Sequence, residues 1–106
     1  LYMLILEEVD PDDVMALTSL GAVHDRFDRR ESAISLTRRA LELEPDRAAA
    51  LRNLALYLSR DDAQSSKQEA LELIERACEV EPGAACDRRR EEVCVRVGEP
   101  LCSAAR

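Results

Sequence analysis

The sequence predicts an all-α chain built as an α-solenoid of antiparallel helix pairs. Three observations predict it. Apolar residues recur at three- and four-residue spacings through most of the chain. Acidic-Pro pairs punctuate it at Asp10-Pro11, Glu44-Pro45 and Glu81-Pro82, so the prolines stand 34 and then 37 residues apart. The segments before the last two prolines align without gaps, Ser32–Pro45 over Glu69–Pro82. Self-similarity at that period marks a stack of helical repeats, because one repeat cannot bury its own apolar face.

The elements follow in chain order. Residues 1–11 read as half a repeat, a second helix without its first. The run Leu1 to Leu6 is apolar nearly all round, and upstream repeats or another chain should cover it. The chain begins on Leu1, which suggests a segment of something larger. The run is too short to span a bilayer and lacks the basic leader of a signal peptide. Residues 12–45 form the first full repeat. Asp12 or Asp13 can cap its first helix, which turns Leu17, Leu20, Gly21 and His24 to one face. After a break at Arg26-Phe27-Asp28, a second helix runs from about Arg30 to Leu43. Ala33, Ile34, Thr37, Ala40, Leu41 and Leu43 point inward, and Pro45 stops it.

Residues 46–82 repeat the scheme. Leu51, Leu54, Ala55 and Leu58 line the first helix; Ala70, Leu71, Ile74, Ala77 and Cys78 line the second. Three extra residues fall in a turn over 60–67, rich in Asp and Ser. Gly21 with Ala33 and Ala40, and Ala55 with Ala70 and Ala77, mark close backbone approach. Residues 83–106 are a divergent cap and tail. A polar helix over 84–94 competes there with a short strand over 93–97, where Val alternates with Cys and Arg.

The pattern resembles the tetratricopeptide repeat family. The residues that carry the resemblance are Leu17-x-x-Leu20-Gly21-x-x-His24, Ala33-x-x-x-Thr37, Ala40 and Pro45. The second set is Leu51-x-x-Leu54-Ala55-x-x-Leu58, Ala70-x-x-x-Ile74, Ala77 and Pro82. Aliphatic or polar residues replace the family's rings, since only Tyr2, Phe27 and Tyr57 are aromatic. The resemblance implies a scaffold that holds a protein or peptide in a concave groove formed by the first helices. In this sequence that face carries Met15, Thr18, Ser19, Ala22, Asp25 and Arg26, then Ala49, Arg52, Asn53, Leu56 and Arg60. Of the family's carboxylate clamp only Asn53 matches by offset, so an acidic or extended peptide fits better than a terminal carboxylate. A self-associating segment of a longer array, or an accessory domain of a larger enzyme, are the alternatives.

Four cysteines, Cys78, Cys86, Cys94 and Cys102, stand eight apart. Zinc ligation lacks the short ligand pairs of structural sites. Buried free thiols are a second reading. Disulfides are the third: Cys78 and Cys86 flank the turn at Glu81-Pro82-Gly83, and Cys94 and Cys102 flank Gly98-Glu99-Pro100, so 78–86 and 94–102 is the preferred pairing. The spacing resembles the cysteine-rich Sel-like repeats, secreted relatives of the tetratricopeptide repeat. It implies a periplasmic or secreted protein, with a cytoplasmic one as the alternative.

Composition narrows the function. Net charge is −7, with five acids and no base in residues 1–13. An acidic chain with three aromatics has neither the basic surface nor the stacking platforms of a nucleic-acid binder. Lys67 is the only lysine among 15 basic residues, an arginine bias that suggests a GC-rich bacterial genome. His24, the only histidine, occupies an inward repeat position and reads as packing. Ser65-Ser66 reads as loop, and Arg88-Arg89-Arg90 as local pairing with Glu91-Glu92. No glycine-rich phosphate loop or metal-loop spacing occurs. The expectation is a binding module that is not an enzyme and holds no metal or cofactor.

Overall fold

A computed structural model gives the structure and describes residues 13–98. All regular structure among these residues is α-helical: α1 (Val14–Arg26), α2 (Arg30–Leu43), α3 (Ala48–Ser59), α4 (Gln64–Val80) and α5 (Ala84–Val97). None of these helices is long and apolar enough to cross a membrane. The chain forms two compact units that divide between Pro45 and Asp46.

In the first unit α1 packs against α2 as a helical hairpin. The Asp13 side chain caps α1, its Oδ1 accepting from the Ala16 amide at 3.1 Å. That bond satisfies one of the amides that a helix start leaves without a partner. At the other end Asp28 takes φ 62°, and the Arg29 amide donates to the His24 carbonyl at 2.9 Å. The chain reverses within three residues, and α2 begins at once with Glu31 in its first turn, favourable for the helix dipole.

The two helices approach closely where Gly21 faces α2. A Cβ placed on Gly21 would lie 2.8 Å from Thr37 Oγ1 and 3.3 Å from the Ala33 carbonyl oxygen. Thr37 is fully buried, and its hydroxyl donates to that same carbonyl at 2.7 Å. The polar atom therefore sits inside without the cost of a lost partner. Ala33, Thr37 and Ala40 form the buried line of α2. Ile34 and Leu41 flank that line and are only half-buried. Leu43, expected inward, is 38% exposed, because it is the last residue of α2 at the open end of the hairpin.

The second unit adds a third helix. α4 packs on α3, and α5 packs on both. α3 is buried on nearly every side: Ala48, Ala50, Leu51 and all of Leu54–Ser59 are covered. Ser59 resolves its burial by donating to the Leu56 carbonyl at 2.6 Å. The turn after α3 is shorter than the sequence suggested. α4 starts at Gln64, so Ser65, Ser66 and Lys67 are helical. Asp61 explains the early start: its carboxylate accepts from the Ala63 amide at 3.2 Å and from the Ser66 hydroxyl at 3.0 Å. One acid thus organises the first turn of α4 from two residues upstream of its N-cap, Ala63.

α5 settles the choice between helix and strand in the tail. It continues to Val97 and ends at Gly98, whose φ of 76° stops the helix. A strand would turn Val93, Val95 and Val97 to one face. Here Val93, Cys94 and Val97 are buried while Val95 is 82% exposed, the division that helical spacing produces. The N-terminal half repeat over 1–11 lies outside the described residues.

Candidate functional site

The sequence-predicted binding residues fall on two helices, one in each unit. On α1, Ser19 and Arg26 are exposed, and Ala22 and Asp25 are half-buried. With the exposed Met15 they follow a stripe at helical spacing, clear of the line Leu17, Leu20, Gly21 and His24 that α1 buries. On α3, Ala49, Arg52 and Asn53 are half-buried, and Arg60 follows at the C-cap, also half-buried. These are the least covered positions on a helix otherwise sealed.

Two of the predicted residues present little surface. Thr18 and Leu56 are each 7% exposed. The Thr18 hydroxyl turns back to the Val14 carbonyl at 2.8 Å, so it is already occupied. Leu56 lies within the continuous buried run at the end of α3. An amphipathic reading of α3 placed it outward, and a helix covered on most sides has no such outward face.

Arg52 is held in place. Its guanidinium lies 3.4 Å from a Glu81 carboxylate oxygen, and its side chain is 18% exposed. Glu81 is the C-cap of α4, so the pair ties α3 to the turn before α5. The guanidinium has five N–H donors, and the contact with Glu81 engages one of its nitrogens. A second pair, Arg76 with Asp46, joins α4 to the residues before α3. Each links residues about thirty positions apart, and neither pairing follows from local spacing.

Sequence reasoning also missed two open depressions. One in the first unit is lined by His24, Glu31, Ser32, Ser35 and Leu36. The other lies along α4, where Glu69, Glu72, Glu75 and Glu79 surround Leu73 and Arg76. The helical spacing of those four glutamates was visible in the sequence; the hollow beside them depends on packing and was not. His24 is buried, in the inward position its spacing indicated. Arg89 pairs with Glu92 at 3.4 Å, but Arg90 reaches across to Glu75 on α4 at 3.0 Å. The arginine run is therefore partly an interhelical contact.

Cys78 and Cys86 are joined as a disulfide with their Cα atoms 5.5 Å apart. The bridge links the last turns of α4 to the first turn of α5, across the Glu81-Pro82-Gly83 turn. Cys94 is buried on α5 and is also disulfide-bonded, as expected, while Cys102 lies outside the described residues. Among the described residues no three His, Cys, Asp or Glu side chains converge on a metal position. No family model matches the chain, and no curated protein matches it.

Proposed function

We propose that this chain is a tetratricopeptide-like helical array that binds an acidic or extended peptide on its first helices. The observation that carries the proposal is the α3 stripe. Arg52, Asn53 and Arg60 are partly covered polar side chains on a helix that is otherwise buried. An amide and two guanidinium groups on one helix offer several donors, and half-buried side chains lose less entropy than exposed ones when a peptide carbonyl or carboxylate arrives. Ser19, Ala22, Asp25 and Arg26 form a separate stripe on α1, within the first unit. The peptide is held by shape and hydrogen bonding, without covalent chemistry.

The Cys78–Cys86 bridge supports placement in an oxidising compartment, such as a periplasm or the cell exterior. The test is fluorescence anisotropy with labelled dodecapeptides rich in Asp and Glu, against neutral peptides of the same length. Wild-type protein should bind at least one acidic peptide in the micromolar range. Asn53→Ala combined with Arg60→Glu should weaken it by about 100-fold or more while circular dichroism is unchanged, since each lost hydrogen bond to a charged group costs about 1.5–3 kcal/mol and about 1.4 kcal/mol is tenfold in affinity. Equal affinity in the double variant removes the α3 surface from the account.

A further inference from the structure

We infer that α5 is a conditional element of the second unit, docked by the Cys78–Cys86 disulfide and released when that bridge is absent. Four features lead there. First, α5 has 14 residues, of which Asp87, Arg88, Arg89, Arg90, Glu91, Glu92 and Arg96 are charged. An isolated helix of that length is marginal in water, so α5 depends on what it packs against. Second, its buried set is small: Cys86, Val93, Cys94 and Val97. α3, two residues shorter, buries nine. Third, its start is poorly anchored by other means. Gly83 is the N-cap and provides no side-chain hydrogen bond to the first turn. Glu79 to Ala85 are all exposed, so the connecting segment makes no core of its own. Fourth, the disulfide enters at Cys86, the third residue of α5, and so fixes the turn that lacks a cap.

Between Cys86 and Val93 no side chain of α5 is fully buried. The contacts over that stretch are ionic, chiefly Arg90 to Glu75 at 3.0 Å with both side chains about two-fifths exposed (42% and 41%). Exposed pairs of this kind stabilise little. Removing the bridge leaves Val93, Cys94 and Val97 to hold fourteen residues, against the entropy of ordering them. The bridge closes a loop of sequence separation 8. In the chain-entropy description, closing so short a loop favours docking by roughly 80-fold.

Formation of the bridge is a balanced exchange with an external disulfide, either a protein dithiol oxidant or a small disulfide. The Cys78 thiolate attacks one sulfur of that disulfide, breaks its S–S bond and forms a mixed disulfide. The Cys86 thiolate then displaces the second sulfur and completes the Cys78–Cys86 bond. The two cysteine protons and two electrons end on the oxidant, which leaves as a dithiol or as two thiols. With the bridge formed, α5 covers its face of α3 and α4; in a reducing compartment that face is open.

Hydrogen exchange read by mass spectrometry tests this on the full chain. The comparison is oxidised wild type against Cys78→Ala/Cys86→Ala, which keeps the packing apolar and leaves Cys94 and Cys102 in place. Amides over 87–97 are expected to lose nearly all protection, while those over 51–58 and 70–77 stay protected, their loss no greater than the roughly 80-fold by which the bridge also constrains the unfolded chain. Wild type held in a dithiol reductant should show the same loss over 87–97; because the reductant also opens the Cys94 disulfide, the Cys78→Ala/Cys86→Ala chain is what assigns the loss to the Cys78–Cys86 bridge. Unchanged protection of α5 in both samples overturns the inference. So does complete loss of protection across α3, α4 and α5 together, which makes the bridge a general support of the unit.

Discussion

The α1–α2 and α3–α4 hairpins use the same offsets for different packing. Gly21, Ala33, Thr37 and Ala40 in the first correspond to Ala55, Ala70, Ile74 and Ala77 in the second. All eight are buried. The first hairpin solves close approach with a glycine and places a hydroxyl in the seam. The second keeps a methyl at the matching position and fills the seam with isoleucine. The first therefore depends on fit and on one internal hydrogen bond. The second depends on apolar volume, and it supports a third helix. Small residues at fixed offsets specify that helices meet closely; the residue opposite decides what holds them there.

The largest expected difference comes from emptying the seam of the second hairpin. Ile74→Ala removes a side chain with no exposed surface and should cost about 2–5 kcal/mol in chemical denaturation. A loss below about 1 kcal/mol would mean that α4 is not seated as described. In the first hairpin, overfilling is the sharper probe. Gly21→Ala should cost about 1–3 kcal/mol from overpacking against Thr37 and Ala33, partly offset by about 1 kcal/mol of better helix propensity. Combining it with Thr37→Ala removes the nearer clash, so the double variant should show a favourable coupling of about 0.5 kcal/mol or more. Strict additivity would show that Gly21 and Thr37 do not meet.

Smaller effects sit at the helix ends and on the surface. Asp13→Ala removes the side-chain cap of α1 and should cost about 1 kcal/mol, with Asp13→Ser recovering most of it. Thermal unfolding followed at 222 nm reads both. Arg39→Ala breaks an exposed pair with Glu42 on α2 and should shift stability by less than about 0.5 kcal/mol.

Much of this fold was legible in the sequence because its signals are local. Asp13 caps the helix it precedes, Pro45 follows the end of α2, and the inward line of each helix follows from three- and four-residue spacing. The start of α4 was not legible, because Asp61 acts through its side chain on Ala63 and Ser66, and Asp and Ser are also loop residues. The tail was ambiguous because Val93, Val95 and Val97 alternate as in a strand while Val93, Cys94 and Val97 fit helix spacing; docking against α3 and α4 decided it. For the candidate surface, spacing found the stripes but not their depth. Thr18 and Leu56 are sealed because of neighbours distant in sequence or a hydroxyl turned to its own backbone. The Arg52–Glu81 and Arg76–Asp46 pairs each link residues about thirty positions apart, beyond any local pattern.

The most direct test of the account is where a peptide touches the chain. Backbone amide shifts of ¹⁵N-labelled protein, titrated with the tightest acidic dodecapeptide from the anisotropy panel, report this residue by residue. Saturable shifts are expected at Arg52, Asn53 and Arg60 on α3. Shifts confined to α2 and α4, or none at millimolar peptide across the whole panel, would contradict it.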